Sequence, residues 1–291
     1  MKAYFMTRST LKLIPIVLLT MMQILGSAGV GRSGIPELVP LLKDQNESVR
    51  STAIDELAKI GESAIPYLIP LLKDKSARVR RNAVMTLGSF RESAKPAVPY
   101  LIPLLKDKNA RVQAAGALGL IGKSAKSATP YLIPLLKDQD KWVRSQAVSA
   151  LGLIGESAES AIPDIIPLLK DKDGMVRSNA ARTLGLLGLV GESAKYAIPD
   201  IIPLLRDPDG LVRVNAANAL GLMGKSAKSA IPDLILLLRD PDDLVRAIAA
   251  EALGWIGGSA KYAIPNLIPL LRDPNDLVRA LASEALKRLG Y

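Results

Sequence analysis

Aspartate and arginine recur six residues apart along most of this chain, as Asp44/Arg50, Asp74/Arg80, Asp138/Arg144, Asp171/Arg177, Asp207/Arg213, Asp240/Arg246 and Asp273/Arg279. A carboxylate beside a guanidinium makes a strong charge-assisted pair, and a single copy could orient a substrate or tune a proton donor. Seven copies at one spacing cannot each be an active site. They read as a structural ladder, in which an aspartate caps a helix and an arginine one turn in joins it or the aspartate of a neighbouring unit. The 291 residues include no histidine and no cysteine. That removes imidazole bases, thiolate nucleophiles, disulfides and every His or Cys metal site. No catalytic residue, metal site or cofactor is therefore expected. The lack of cysteine fits oxidising and reducing compartments alike.

The pairs belong to a longer phrase that recurs eight times from about residue 35 to the end: Pro-x-apolar-Ile-Pro-Leu-Leu-Lys/Arg-Asp, then Val-Arg, then Ala-Leu-Gly-x-Ile-Gly. Its aspartates, Asp44 to Asp273 with Asp107 included, are separated by 30, 33, 31, 33, 36, 33 and 33 residues. A period of this size means a solenoid, whose units bury their apolar faces only against one another. Residues 163–191 show the elements. Pro163 opens a helix where its missing N–H costs nothing, and Asp164 suits the positive helix end. Pro167 removes a backbone bond and should bend this first helix. Asp171 to Gly174 form a turn, and a second helix runs from near Met175 to Gly188. The fold class is therefore all-α, a right-handed α-solenoid of eight helix pairs over residues 35–291.

Counting from the valine of each second helix, Val176, Ala180, Ala181, Leu184 and Leu187 occupy one broad arc. Polar residues two, three and six places on form a strip. Nine places on stand Ala58, Gly88, Gly152, Gly185, Gly221 and Gly254, then Lys287; five places on, a series from Ile54 to Ala250 ends in Ser283. Glycine in mid-helix costs about 1 kcal/mol, so its recurrence implies close approach of the next helix. Both columns turn polar in the eighth repeat, which reads as a cap.

Residues 1–28 read as a signal peptide and 29–34 as a short linker. Lys2, Arg8 and Lys12 precede an uncharged run from Leu13 to Leu25, and Gly26-Ser27-Ala28-Gly29 gives a small-residue exit with cleavage after Ala28. The run is short for a membrane span, which needs about 20 residues. Cleavage implies export to periplasm, lumen or exterior. An uncleaved anchor, with membrane contact through residues 13–25, and an apolar cap on the first repeat are the alternatives.

The spacing from aspartate to arginine, the proline in the first helix and the Val-Arg-x-x-Ala…Ala-Leu-Gly-x-Ile-Gly second helix resemble HEAT repeats, most closely the subtype of phycobilisome-lyase-type proteins. The resemblance covers residues 35–291. It implies an armadillo-like superhelical scaffold that holds proteins in a groove lined by the second helices. Some relatives attach or detach bilin chromophores, and one HEAT enzyme hydroxylates a modified lysine with His-Glu metal ligands, which a chain without histidine cannot build. Two departures are visible. Repeat three is two residues short within its second helix, leaving Asp107 without its partner unless Arg111 substitutes. Repeat five carries an extra Leu189-Val190-Gly191 turn. Both should disturb the superhelical path.

The polar strip gives a candidate partner-binding groove: Thr52, Asp55, Arg81, Asn82, Gln146, Ser149, Asn179, Arg182, Asn215, Asn218 and Glu251. Its amides suit a peptide backbone or a polar loop. Trp142 aligns with Met175, Leu211, Leu244 and Leu277, and Trp255 with Leu153, Leu186 and Leu222, so both tryptophans read as packing residues. Tyr67, Tyr100 and Tyr131 follow the opening prolines early in the array, where Asp164, Asp200 and Asp233 stand later. Net charge is +10; residues 35–155 carry 18 basic and 11 acidic side chains, residues 156–291 carry 16 and 17. An acidic partner or anionic surface would favour the first half. Nucleic acid is disfavoured, because acids interrupt the basic residues and no stacking face appears. The expected function is a non-enzymatic scaffold for a partner protein; the alternative is a phycobilisome-lyase-like factor in bilin handling.

Overall fold

A computed structural model describes residues 34–291; the signal, anchor and cap readings of residues 1–28, like the linker up to residue 33, lie outside the described residues. Every described element is helical, and helix pairs pack in series. The second helices are α1 (Glu47–Ile60), α2 (Ala77–Ser89), α3 (Arg111–Ile121), α4 (Lys141–Ile154), α5 (Gly174–Val190), α6 (Gly210–Leu222), α7 (Asp243–Ile256) and α8 (Asp276–Leu289).

The inner proline does more than bend the first helix. In repeat five one α-turn, Ile162–Ile165, gives way to a 3-10 segment, Ile166–Lys170, with Pro167 in its first turn. Proline has no N–H for an i−4 bond and its ring crowds that carbonyl, so the chain tightens. Repeat seven has Leu236 at this place, and there Ile231–Leu237 is one continuous α-helix. Repeat one keeps α-geometry over Ile35–Leu41 despite Pro40.

The arc read from the second helix is the core. Val176, Ala180, Ala181, Leu184 and Leu187 are all fully buried. The glycine column meets the following helix: a Cβ on Gly185 would lie 2.7 Å from Ala219 Cα, and one on Gly221 3.0 Å from Ala252 Cα. Gly119 belongs to this column, its Cβ position falling 2.8 Å from Ala150 Cα. Counted from it, Arg111 aligns with Arg144 and Ala110 with Val143. The two residues missing from repeat three therefore come from the turn and first helical turn, not from the body of the helix. The local consequence is that α3 starts at Ala110 without a side-chain cap. In repeat five the added residues extend α5 by one turn to Val190 and leave Leu189 and Val190 exposed. The glycine seam runs through both departures, so the second helices stay in close contact on either side of each.

The ladder differs from its sequence reading in two respects. The helix caps are not the ladder aspartates but the residues two further on: Asn46, Ser76, Asp140, Asp173, Asp209, Asp242 and Asn275. Each ladder aspartate instead accepts the backbone N–H of that position, as Asp171 does from Asp173 at 2.9 Å. The arginine reaches forward. Arg177 donates Nη1 to the carbonyl of its own Asp171 at 2.8 Å, and Nε and Nη2 to the two carboxylate oxygens of Asp207 in the next repeat at 2.7 and 2.8 Å. The same forward bridge joins Arg50 to Asp74, Arg80 to Asp107, Arg144 to Asp171, Arg213 to Asp240 and Arg246 to Asp273. Arg111 does substitute, bridging to Asp138 at 2.8 Å, while Asp107 is held by Arg80. Arg279, in the last repeat, turns to Asp276 of its own helix.

Burial is the largest single influence on Asp171 and Asp207 and opposes their ionisation, but the hydrogen bond from Arg144 or Arg177, the backbone N–H of Asp173 or Asp209 and the charge of the arginine together outweigh it and hold both carboxyls below the ordinary 3.8. The Arg246 hydrogen bond does the same for Asp273. A depressed folded-state value means that the unfolded chain binds more protons, so this stability is full above about pH 3.9 and is lost as pH falls through the folded values. Asp171→Asn should cost roughly 3 kcal/mol at neutral pH by leaving buried Arg144 unpaired, and should flatten the acid limb of a pH-dependent unfolding series. Gly185→Val should lower the urea midpoint through an overpacking cost of about 1–3 kcal/mol, whereas Gly258→Ala, which faces open space, should leave it within error.

Candidate functional site

A second helix that buries its valine arc turns an opposite face outward. On α4 to α7 that face comprises the residues one before the valine and three, six and ten after it, because steps of four, three and four stay on one side of a 3.6-residue helix. It reads Trp142, Gln146, Ser149, Leu153; then Met175, Asn179, Arg182, Leu186; then Leu211, Asn215, Asn218, Leu222; then Leu244, Ile248, Glu251, Trp255. Two apolar rows flank a polar middle that is interrupted at Ile248. Their exposure settles the tryptophans: Trp142 is 53% and Trp255 52% exposed, with Leu211 at 55% and Leu153 at 44%. The packing reading of both is corrected. Of the leucines that share their columns, Leu153, Leu211, Leu244 and Leu277 are also exposed, while Leu186 and Leu222 are half-buried. Trp142 lies beneath the Lys141 ammonium, 5.5 Å from the ring centroid.

In the earlier repeats the rows thin to exposed Leu120 on α3, with Ser48 and Lys59 on α1 and Arg78 and Ser89 on α2 at these places. Thr52 and Asp55 are exposed on α1, and Arg81 and Asn82 are half-buried on α2 beside exposed Met85. Thr52 spends its hydroxyl on the Ser48 carbonyl of its own helix at 2.9 Å.

The polar row divides between solvent and the neighbouring repeat. Asn179 donates to Ser145 Oγ at 2.7 Å, Asn215 to Ser178 Oγ at 2.8 Å, and Arg182 to Ser149 Oγ at 3.1 Å. Ser145 and Ser178, two places after their valines, are buried in the seam rather than on the strip. Gln146, Asn218 and Glu251 have no hydrogen-bond partner among the described residues. The strip is thus partly a cross-repeat brace and partly a polar surface with unengaged side chains. The signal for the apolar rows was present in the sequence: four residues on one helical face, two apolar and two mostly polar, in each of four consecutive repeats.

On the first-helix side, Lys137 bridges to Asp164 at 2.9 Å and Arg206 to Asp233 at 2.8 Å, so these aspartates tie one repeat to the preceding one. Tyr67, Tyr100 and Tyr131 occupy the corresponding place and are exposed. Among the described residues no three His, Cys, Asp or Glu side chains converge on a point that could hold a metal, and no helix is long and apolar enough to cross a membrane.

Residues 35–121, 129–198 and 198–287 match the family of HEAT repeats. The crystal structure of an engineered protein superposes on this chain with a TM-score of 0.66 at 25% identity, over 92% of this chain and 80% of that one. The X-ray structure of YibA from Escherichia coli superposes with a TM-score of 0.58 at 22% identity, over 88% and 92%. Both likenesses are of fold. No protein of curated function matches by sequence.

Proposed function

Because the chain belongs to the HEAT-repeat family, which matches most of its length, we propose that it is a non-enzymatic scaffold holding a partner protein along the concave face formed by its second helices. HEAT repeats generally mediate protein–protein interaction. The observation that carries the reading here is the pair of apolar rows on α4 to α7, exposed at Trp142, Leu211 and Leu244 in one and at Leu153 and Trp255 in the other. Large apolar side chains gathered in a contiguous patch with polar surroundings mark an interaction surface. The free amides and carboxylate between the rows supply hydrogen bonds that give such a surface its specificity. The bilin-handling alternative draws on the repeat phrase alone.

The test is capture of partners from the native cells by the tagged chain, before and after substitution of the rows. Trp142→Ser combined with Leu153→Ser should weaken capture of the same partner by an order of magnitude or more, with only a small fall in melting temperature, since about half of each side chain is exposed. Undiminished capture would sink the groove assignment. Asn179→Ala and Asn215→Ala should weaken capture too, but at a cost in stability of about 1 kcal/mol each for the lost seam bond.

Export is part of the proposal, supported by the basic and apolar pattern of residues 1–28. Intact mass of the protein from its native cells should place the first residue at Gly29; a chain beginning at Met1 or Met6 would instead mean a retained anchor or cap.

A further inference from the structure

The face carried by the second helices is not uniform where repeats six and seven meet. A cleft of about 210 Å³ opens there between α6 and α7. Its floor is the close approach of Gly221 to Ala252, and its walls are Leu222, Ile248 and the Trp255 ring, with Asn218 and Glu251 at the polar side. Glu251 is half-buried and has no ion-pair or hydrogen-bond partner among the described residues, and the same holds for the Asn218 amide. An unpaired carboxylate beside an aromatic face, at the end of an aliphatic channel, matches one kind of side chain. Its methylenes would lie along Leu222 and Ile248, and its cationic head would meet the carboxylate and the ring together.

The chain supplies its own precedent one repeat further on. There Glu284 stands in the place of Glu251 and Arg288 in the place of Trp255. The Arg288 guanidinium donates to Glu284 at 3.2 Å and lies 4.2 Å from the centroid of the Trp255 ring. The space between repeats seven and eight is therefore filled by an internal arginine held between a carboxylate and an indole. One repeat before the cleft, Asn218 and Leu222 occupy the places of Glu251 and Trp255, so neither carboxylate nor ring is present. Among the described residues, this register holds a carboxylate and a ring with the carboxylate left unpaired between repeats six and seven; the Trp255 ring itself is shared with Arg288 of α8.

We propose that this cleft is a side-chain subsite for an arginine of the bound partner protein, with Glu251 pairing its guanidinium and Trp255 stacking on it. Arginine is the occupant because its planar, weakly hydrated guanidinium stacks and pairs at once, as Arg288 already does. The proposal rests on the reading of the second-helix face as the partner surface, and its test separates the two.

The chain has two tryptophans, so Trp142→Phe in the full chain leaves Trp255 as the sole indole reporter. The probes are two nine-residue peptides of glycine, serine and leucine, identical except for one central arginine or the neutral isostere citrulline. The arginine peptide should change Trp255 emission saturably and bind at least about tenfold more tightly than the citrulline peptide. Glu251→Gln should abolish that difference, while Glu37→Gln, exposed on the first helix of repeat one, should leave it intact; melting curves check that both variants stay folded. Equal binding of the two peptides, no saturable response, or a difference that survives Glu251→Gln would each overturn the subsite. Loss of partner capture on substituting Trp142 and Leu153, without arginine discrimination, would refute the subsite and leave the scaffold standing. Discrimination with undiminished capture would do the reverse.

Discussion

A helix pair of about thirty residues cannot bury its own apolar stripe, and everything else in this molecule follows from how each pair covers the next. The covering is closest along the second helices, where the glycine of one repeat lies against an alanine or threonine of its follower. Gly152 shows the threonine form: its Cβ position would fall 2.8 Å from Thr183 Oγ1, and that hydroxyl bonds the Val148 carbonyl across the seam at 3.0 Å. Side chains normally keep packed helices 8–10 Å apart; removing one of them lets backbones approach more closely and leaves little freedom to slide. Register is thereby locked from repeat to repeat, and the seam persists through a repeat shortened at its turn and another lengthened by a helical turn.

Locked register makes the arginine ladder possible. A guanidinium that must reach its own repeat's carbonyl and the next repeat's carboxylate tolerates little displacement of either. The reward is a charge-assisted, mostly bidentate bond at every junction, in sites such as Arg144, which is only 7% exposed. Since the carboxylates are committed to these bonds and to the backbone of the following turn, the ladder has no spare capacity for chemistry. Arg279, in the eighth repeat, instead pairs with Asp276 of its own helix.

The same register turns isolated surface residues into continuous rows. Trp142, Leu153, Leu211 and Trp255 would be unremarkable singly, but stacked at one spacing they form two apolar rows with amides between them. Part of that amide row braces the seam, so changing Asn179 or Asn215 alters the packing of one repeat on the next as well as the exposed face.

The repeat, the all-α class, the two faces of the second helix and the glycine seam were legible in the sequence, because each is a statement about periodicity along one chain. The partner of each arginine was not, since a spacing of six from Asp171 to Arg177 is compatible with pairing inside the repeat, and only the placement of the next repeat puts Asp207 within reach. The same holds for the caps, where Asp171 and Asp173 are chemically alike and the backbone path selects the second. It holds for the tryptophans, whose columns were visible but whose exposure depends on where the neighbouring helix stops covering them. Helical period decides which residues share a face; rigid-body packing of one repeat on another decides what that face meets.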